Sequence, residues 1–326
     1  MIFFHFGYSG VPGHYGVVAF FVLSGFLITW LMLREQEKTG TVSLRAFYQR
    51  RALRIFPAFY AFWFFWVGVL ITTGRDVPWT HALSAFTYWS NYYNGIVGDP
   101  NNGFSHTWSL AIEEQFYLLW PLLFLLLRRN PSALAWRIGA IVVGIWAYRL
   151  VLVFGLDVRE GYIYSAFETR ADALLCGCLL AVVLYQRRLQ RFWVLLTSSQ
   201  WAAVATTALV IFFIYWSPIA RARDVIGFTL VPPLMALVVA QIVSLHRTPL
   251  WSWTEWAWVR YLGRISYPLY LYQQVTLYPA RTRVPGPEIV GLAAGIAITV
   301  VLASLSYYLV EMPFLRLKTR YKKVAG

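Results

Sequence analysis

Apolar residues fill the chain in blocks of about twenty, parted by short polar stretches. About 20 mostly apolar residues are what a helix needs to cross the hydrocarbon core of a bilayer. Blocks at 15–33, 55–73, 110–127, 135–154, 168–186, 199–216, 224–245, 262–280 and 288–310 meet that requirement. The segment 79–94 is more polar and interrupted, which predicts an interfacial or re-entrant piece. Residues 1–6 read as the tail of one more apolar helix that lacks its N-terminal half. They have neither the basic start nor the small-residue cleavage site of a signal peptide. The pattern predicts an all-α, polytopic membrane helical bundle of about 9–10 helices. It reads as a single domain over 1–326 with an incomplete first helix and no soluble domain.

Composition fits the pattern: 59% of the 326 residues are hydrophobic and 18% aromatic, against 13% charged. Average soluble chains carry about 25% charged residues, so neither a disordered chain nor a water-soluble enzyme is expected. The 28 Lys and Arg against 14 Asp and Glu leave a net charge of +14. Such an excess would suggest nucleic acid in a soluble protein. Here it lies in short runs between apolar blocks, without a basic domain or RNA-type motif, so no nucleic-acid partner is expected. The runs instead fit the rule that Lys and Arg hold loops in the cytoplasm. The loop 34–54 carries Arg34, Lys38, Arg45, Arg50, Arg51 and Arg54 and is assigned inside. Counting onward, with 79–94 not crossing, puts 20 of the 28 basic residues inside and 6 outside. The C-terminus then lies in the cytoplasm.

Ionisable groups at the centre of a membrane helix cost about 2.5–3.5 kcal/mol on insertion scales, which makes the few present candidates for function. Between Ser105 and Tyr117 a helix opens at its outer end. Ser109 and Glu113 are four apart and share a face, with Glu114 about 100° round the axis. Either carboxylate could instead serve the helix dipole as a cap. A second group, Glu168 with Arg170 and Asp172, also enters from outside. Glu168 and Asp172 share a face and repel unless a cation such as Arg149 intervenes, and a structural ion-pair network is the alternative. His5 lies at the outer end of the incomplete helix, but His14, His81 and His106 are also on the outer side, and composition does not choose among them. A neutral imidazole near carboxylates suits a general base that takes a proton from a hydroxyl. On the other side, Arg50, Arg51 and Arg54 match a phosphate-bearing donor, or serve topology alone.

Cys176 and Cys178 are too close for a disulfide within a helix and lack metal-ligand company, so they read as small packing residues. A Gly-rich nucleotide loop, a zinc-type His cluster and a Gly-x-Ser-x-Gly elbow are all missing. That argues against a nucleotide-driven pump, a metalloprotease and an ordinary esterase, and leaves a carrier for a lipid-linked sugar as the rival.

Taken together, the polar motifs resemble those of the membrane acyltransferase 3 family. Gly16 to Ile28 (GVVAFFVLSGFLI) is similar to its second-helix signature, and Phe47 to Pro57 (FYQRRALRIFP) to its basic cytoplasmic motif. Trp108 to Leu118 (WSLAIEEQFYL) resembles its acidic helix start. Thr169 to Leu174 (TRADAL) with Gly177, Leu262 to Tyr267 (LGRISY) with Leu269-Tyr270-Leu271, and Glu311-Met312-Pro313 complete the order. The resemblance implies an O-acyltransferase of the bacterial cytoplasmic membrane. Its donor would be acyl-CoA, usually acetyl-CoA, with no bound cofactor or metal. Its acceptor would be an envelope polysaccharide, lipid-linked sugar or similar hydroxyl-bearing molecule. His5 takes the place of the family's essential histidine, as general base or acyl acceptor. Ser109, Glu113 and Glu114 would orient it or hold the acceptor. Arg170 and Asp172 would shape the site, and Arg50, Arg51 and Arg54 would bind the donor's phosphates. The arginine that precedes this histidine in the family would fall before Met1, so an inactive, truncated acyltransferase is a further alternative. Where many members carry a His after the Tyr-Leu run, this chain has Gln273 and Gln274, which hydrogen-bond but do not relay protons.

Overall fold

The computed structural model describes residues 13–100, 102–187, 190–216 and 223–323. Among the described residues the chain is all-α, without strands. The first hairpin joins α1 (His14–Thr39) to α2 (Leu44–Thr72). Gly40 ends α1 in the left-handed region, at φ 73°, and its N–H bonds to Gln36 O. Ser43 caps α2 by accepting from the Ala46 N–H at 3.2 Å. The interrupted segment then forms α3 (Trp79–Phe86) and α4 (Ser90–Val97), turned at Tyr88 with φ 57°. Helices of this length reach about 12 Å each, far short of a bilayer.

The chain continues through α5 (Thr107–Leu127), α6 (Leu134–Leu150), the short α7 (Glu160–Ser165) and α8 (Phe167–Tyr185). Next come α9 (Gln190–Ser198), α10 (Gln200–Trp216), α11 (Phe228–Leu245), α12 (Ala257–Arg264), α13 (Ser266–Arg283), α14 (Glu288–Leu305) and α15 (Met312–Lys323). Six stretches are long and apolar enough to cross a membrane: Tyr15–Thr39, Leu44–Thr72, Thr107–Leu127, Pro131–Gly155, Asp224–Leu245 and Glu288–Leu317. The expected spans 168–186, 199–216 and 262–280 coincide with α8, α10 and α13, which are more polar or shorter. Many outward residues on the spans are large and apolar, among them Leu27, Leu31, Phe64, Ile71, Leu118 and Leu309. Such a surface suits lipid rather than water.

Two glycines set the central contact. A Cβ on Gly25 would lie 1.9 Å from Leu174 O, and one on Gly177 would lie 2.0 Å from Val22 O. Only glycine allows α1 and α8 to approach so closely. Cys178 Sγ, on the same seam, donates to Gly25 O at 3.4 Å, and both cysteines are free and buried. The packing role expected of them matches this position.

Candidate active site

The start of α5 is driven into the protein interior. Phe104 through Glu113 are all buried, which a helix end tolerates only if its polar groups find partners. They do. Asn94 Nδ2 donates to Ser105 O at 2.8 Å, and Thr107 Oγ1 donates to Phe104 O at 2.6 Å. Gln274 Oε1 accepts from the His106 N–H at 3.1 Å and meets His106 Nδ1 at 2.6 Å. A carboxamide oxygen only accepts, so a neutral His106 carries its proton on Nδ1. Tyr270 OH donates to His106 O at 2.8 Å and pairs with Ser109 Oγ at 2.6 Å. This end of α5 is therefore stapled to α4 and α13.

One turn further in, Glu113 faces a different helix. Ser24 Oγ of α1 donates to Glu113 Oε1, and Tyr117 OH donates to the same oxygen at 3.0 Å. Arg51 of α2 lies over the Tyr117 ring, 4.8 Å from its centroid. The capping alternative for Glu113 and Glu114 is ruled out, since α5 begins at Thr107 and has no acid in its first turn. Glu114 is half-buried and makes no hydrogen bond or ion pair among the described residues.

The three arginines expected to act together part company. Successive helix positions are about 100° apart, and each side chain finds its own surroundings. Arg50 pairs with Glu35 at 2.7 Å, while the other oxygen of Glu35 accepts from the Ser43 N–H, so Arg50 ties the hairpin. Arg51 turns to the rings of Phe47 and Tyr117. Arg54 opens onto a cavity of about 400 Å³. The three guanidiniums expected to share a phosphate-bearing donor thus have separate surroundings, and of the three Arg54 lines this cavity.

Glu168 and Asp172 are also kept apart. Glu168 accepts from Tyr92 OH at 2.8 Å and from Tyr162 OH. Asp172 pairs with Arg149 at 2.6 Å and accepts from Trp146 Nε1 at 3.0 Å. Arg149 also donates to Thr169 O at 2.7 Å. The expected cation is present and pairs with Asp172 rather than Glu168, so Asp172 is held by Arg149 and Trp146. Arg170 behaves otherwise. Its guanidinium stacks 3.6 Å from the Phe228 centroid and 5.7 Å from that of Tyr164, and its Nε and Nη2 have no hydrogen-bond partner among the described residues. Trp108 of α5 closes this aromatic wall, 4.8 Å from Tyr164.

His5 lies outside the described residues. No cluster of His, Cys, Asp and Glu among the described residues could hold a metal ion. Sequence reasoning passed over Ser24, Tyr117, His106, Tyr270, Gln274, Arg260, Arg264 and Glu311. Most stand inside the motifs already quoted, and what was missing was a reason to separate them from their apolar neighbours.

A family model described as an acyltransferase domain matches residues 1–308. OatA, a peptidoglycan O-acetyltransferase of Listeria monocytogenes, is 29% identical over 96% of this chain and 53% of its own length. YrhL of Bacillus subtilis, whose name assigns it the same activity provisionally, is 27% identical over 96% of this chain and 52% of its own length. The chain therefore spans about half the length of the curated relatives it matches. No solved structure matches it. The family match runs through the Ser24, Arg51, Glu113 and Arg170 motifs alike, and the chain belongs to the acyltransferase 3 family.

Proposed function

We propose that this chain is an integral-membrane O-acyltransferase that moves an acyl group, an acetyl in the simplest case, from acyl-CoA to a hydroxyl of an envelope polysaccharide. Peptidoglycan is the acceptor that the names of OatA and YrhL suggest. The membrane would be the bacterial cytoplasmic membrane, with the C-terminus on the cytoplasmic side. The observation that carries this reading is the Glu113 network. A carboxylate inside a membrane helix is costly, yet Glu113 is held there by Ser24 and Tyr117, one ring away from Arg51. That chain of contacts joins the basic side, where a phosphate-bearing donor arrives, to the buried start of α5.

In the reaction the thioester C–S bond and the acceptor O–H bond break and an ester C–O bond forms. The hydroxyl proton ends on the released CoA thiol. His5 takes that proton directly, or first accepts the acyl group on its ring. Ser109, Glu113 and Glu114 orient the histidine or the acceptor. Arg170 presents two N–H groups without acceptors among the described residues, which suits the negative charge that grows on the acyl carbonyl oxygen. The apolar surround keeps water from hydrolysing the thioester.

The test is transfer of labelled acetyl from acetyl-CoA to peptidoglycan fragments by the purified chain in lipid nanodiscs. His5→Ala is expected to lower the rate by at least about 100-fold, and Glu113→Gln by about tenfold or more. Wild-type transfer by His5→Ala would refute the histidine's role. Movement of a lipid-linked sugar without ester formation would replace transferase by carrier.

A further inference from the structure

The cavity of about 400 Å³ beside Arg54 is also lined by Arg260, Arg264, Tyr307 and Glu311. Two distant segments bring the guanidiniums together. Arg54 comes from α2, while Arg260 and Arg264 stand four residues apart on one face of α12. None of the three makes a hydrogen bond or ion pair through its guanidinium among the described residues, whereas Arg34, Arg50, Arg149 and Arg281 each have a carboxylate. Three guanidiniums facing one concavity outnumber its single carboxylate, Glu311, and none is tied to it by an ion pair among the described residues, so they can receive an anion with several negative oxygens, since guanidinium forks pair with phosphate.

The depth of the cavity narrows the ligand. Trp253, Trp256 and Trp258, just before and within α12, are all exposed. Tryptophans in such numbers mark the membrane–water interface, so the arginines stand at headgroup level. Two sources of phosphate reach that level: an anionic lipid and the donor itself. A headgroup phosphate carries one anionic centre, while acyl-CoA carries a diphosphate and a 3′-phosphate and so has more to offer three guanidiniums. Glu311 completes the picture. It is buried in the π-helical segment Ser306–Glu311, and its Oε1 has no hydrogen-bond partner among the described residues. A carboxylate repels phosphate and accepts from N–H groups. The phosphates would stay at the exposed arginine rim, and the amide-bearing pantetheine arm would pass Glu311 toward the bundle.

We propose that Arg260 and Arg264, with Arg54, form the phosphate subsite for acyl-CoA, and that this cavity is the donor's entrance. The inference rests on the acyltransferase reading above. It is tested by equilibrium binding of CoA, and of pantetheine as the phosphate-free probe, to the whole chain in nanodiscs of neutral or anionic lipid. Arg260→Ala and Arg264→Ala are each expected to weaken CoA about tenfold, and the pair about 100-fold. Pantetheine should bind all of them alike, and Arg264→Lys should recover part of the loss. These side chains are exposed, so folding should be unaffected, which a melting curve checks. If CoA affinity is unchanged in both variants while the wild type acetylates, the subsite is wrong and the function stands. If the variants release anionic lipid yet hold CoA as before, the cavity is a headgroup site and the inference fails. A wild type that neither binds CoA nor acetylates overturns the acyltransferase reading and the inference with it.

Discussion

Arg149 and Arg170 sit on adjacent helices, α6 and α8, and each is only 1% exposed. Their surroundings are opposite. Arg149 has a carboxylate at 2.6 Å and a backbone carbonyl at 2.7 Å, and only its Nε lacks a hydrogen-bond partner among the described residues. Arg170 has the faces of two rings, and two of its nitrogens have no acceptor among the described residues. Ring faces return about 2 kcal/mol to a desolvated cation, well short of what a buried charge loses on leaving water. A guanidinium also keeps its proton at any relevant pH. The first arrangement closes on itself and holds helices together. The second is incomplete until something else supplies an acceptor, and it borders the aromatic wall where the buried start of α5 lies.

If that distinction is right, the larger damage to the fold comes from the closed region. Asp172→Asn leaves Arg149 buried without its counter-charge, a loss of about 3–5 kcal/mol. The expected outcome is a large fall in melting temperature and in monodisperse protein recovered from detergent. Replacing both partners by apolar residues, Arg149→Met with Asp172→Leu, should recover most of it, because no bare charge is left. An Asp172→Asn protein that melts like the wild type but no longer transfers acetyl would move Asp172 from the scaffold to the substrate.

His81 sharpens the comparison from another side. It too is fully buried, with no hydrogen bond to either ring nitrogen among the described residues, and stacked 4.5 Å from Tyr93. Unlike arginine, it escapes the cost by losing its proton. Burial pushes its pKa down to about 4, against a smaller upward pull from Asp99. The unfolded chain, near 6.5, takes up that proton first as pH falls. Stability is thus complete above about pH 6.5 and is lost progressively toward pH 4, by about 3 kcal/mol in total. His81→Phe keeps the stacking and removes the titration. Its melting temperature should depend less on pH across that window, and a slope equal to the wild type's would place the acid sensitivity elsewhere.

The long apolar blocks announced their helices because membrane spans depend on a local property, mean polarity over about 20 residues. For the same reason the polar, interrupted segment 79–94 could be read as one that does not cross, though not as two separate helices. The partners of the polar residues were not, since they lie far away in the chain: Ser24 and Glu113 are 89 positions apart, and His106 and Gln274 are 168. Local spacing did hold one clue that was set aside. Arg50 and Arg51 are consecutive in a helix and point about 100° apart, so their side chains were bound to meet different surroundings. Arg264 lay inside the LGRISY motif, but its meeting with Arg54 required the packing of α2 against the region of α12. Gly25 and Gly177 stood in quoted motifs too, and their value is visible only where Leu174 O and Val22 O press on them.

The sharpest single test falls on Arg170 itself. Arg170→Met keeps the stem that packs on Phe228 and removes a guanidinium whose Nε and Nη2 have no acceptor among the described residues. Because no carboxylate is stranded by the change, melting should shift little, or rise, in contrast to Asp172→Asn. If Arg170 meets the acyl oxygen as charge develops, as proposed, its loss should lower turnover about 100-fold, near 2.7 kcal/mol, with a smaller change in KM for acetyl-CoA. Arg170→Lys tests geometry separately from charge: an ammonium cannot lie flat on the ring and offer a fork at once, so it should rescue little. If Arg170→Met unfolds the protein as thoroughly as Asp172→Asn does, the two buried arginines are equivalent parts of one scaffold. If it folds and transfers acetyl at the wild-type rate, the open donors of Arg170 face nothing that reacts.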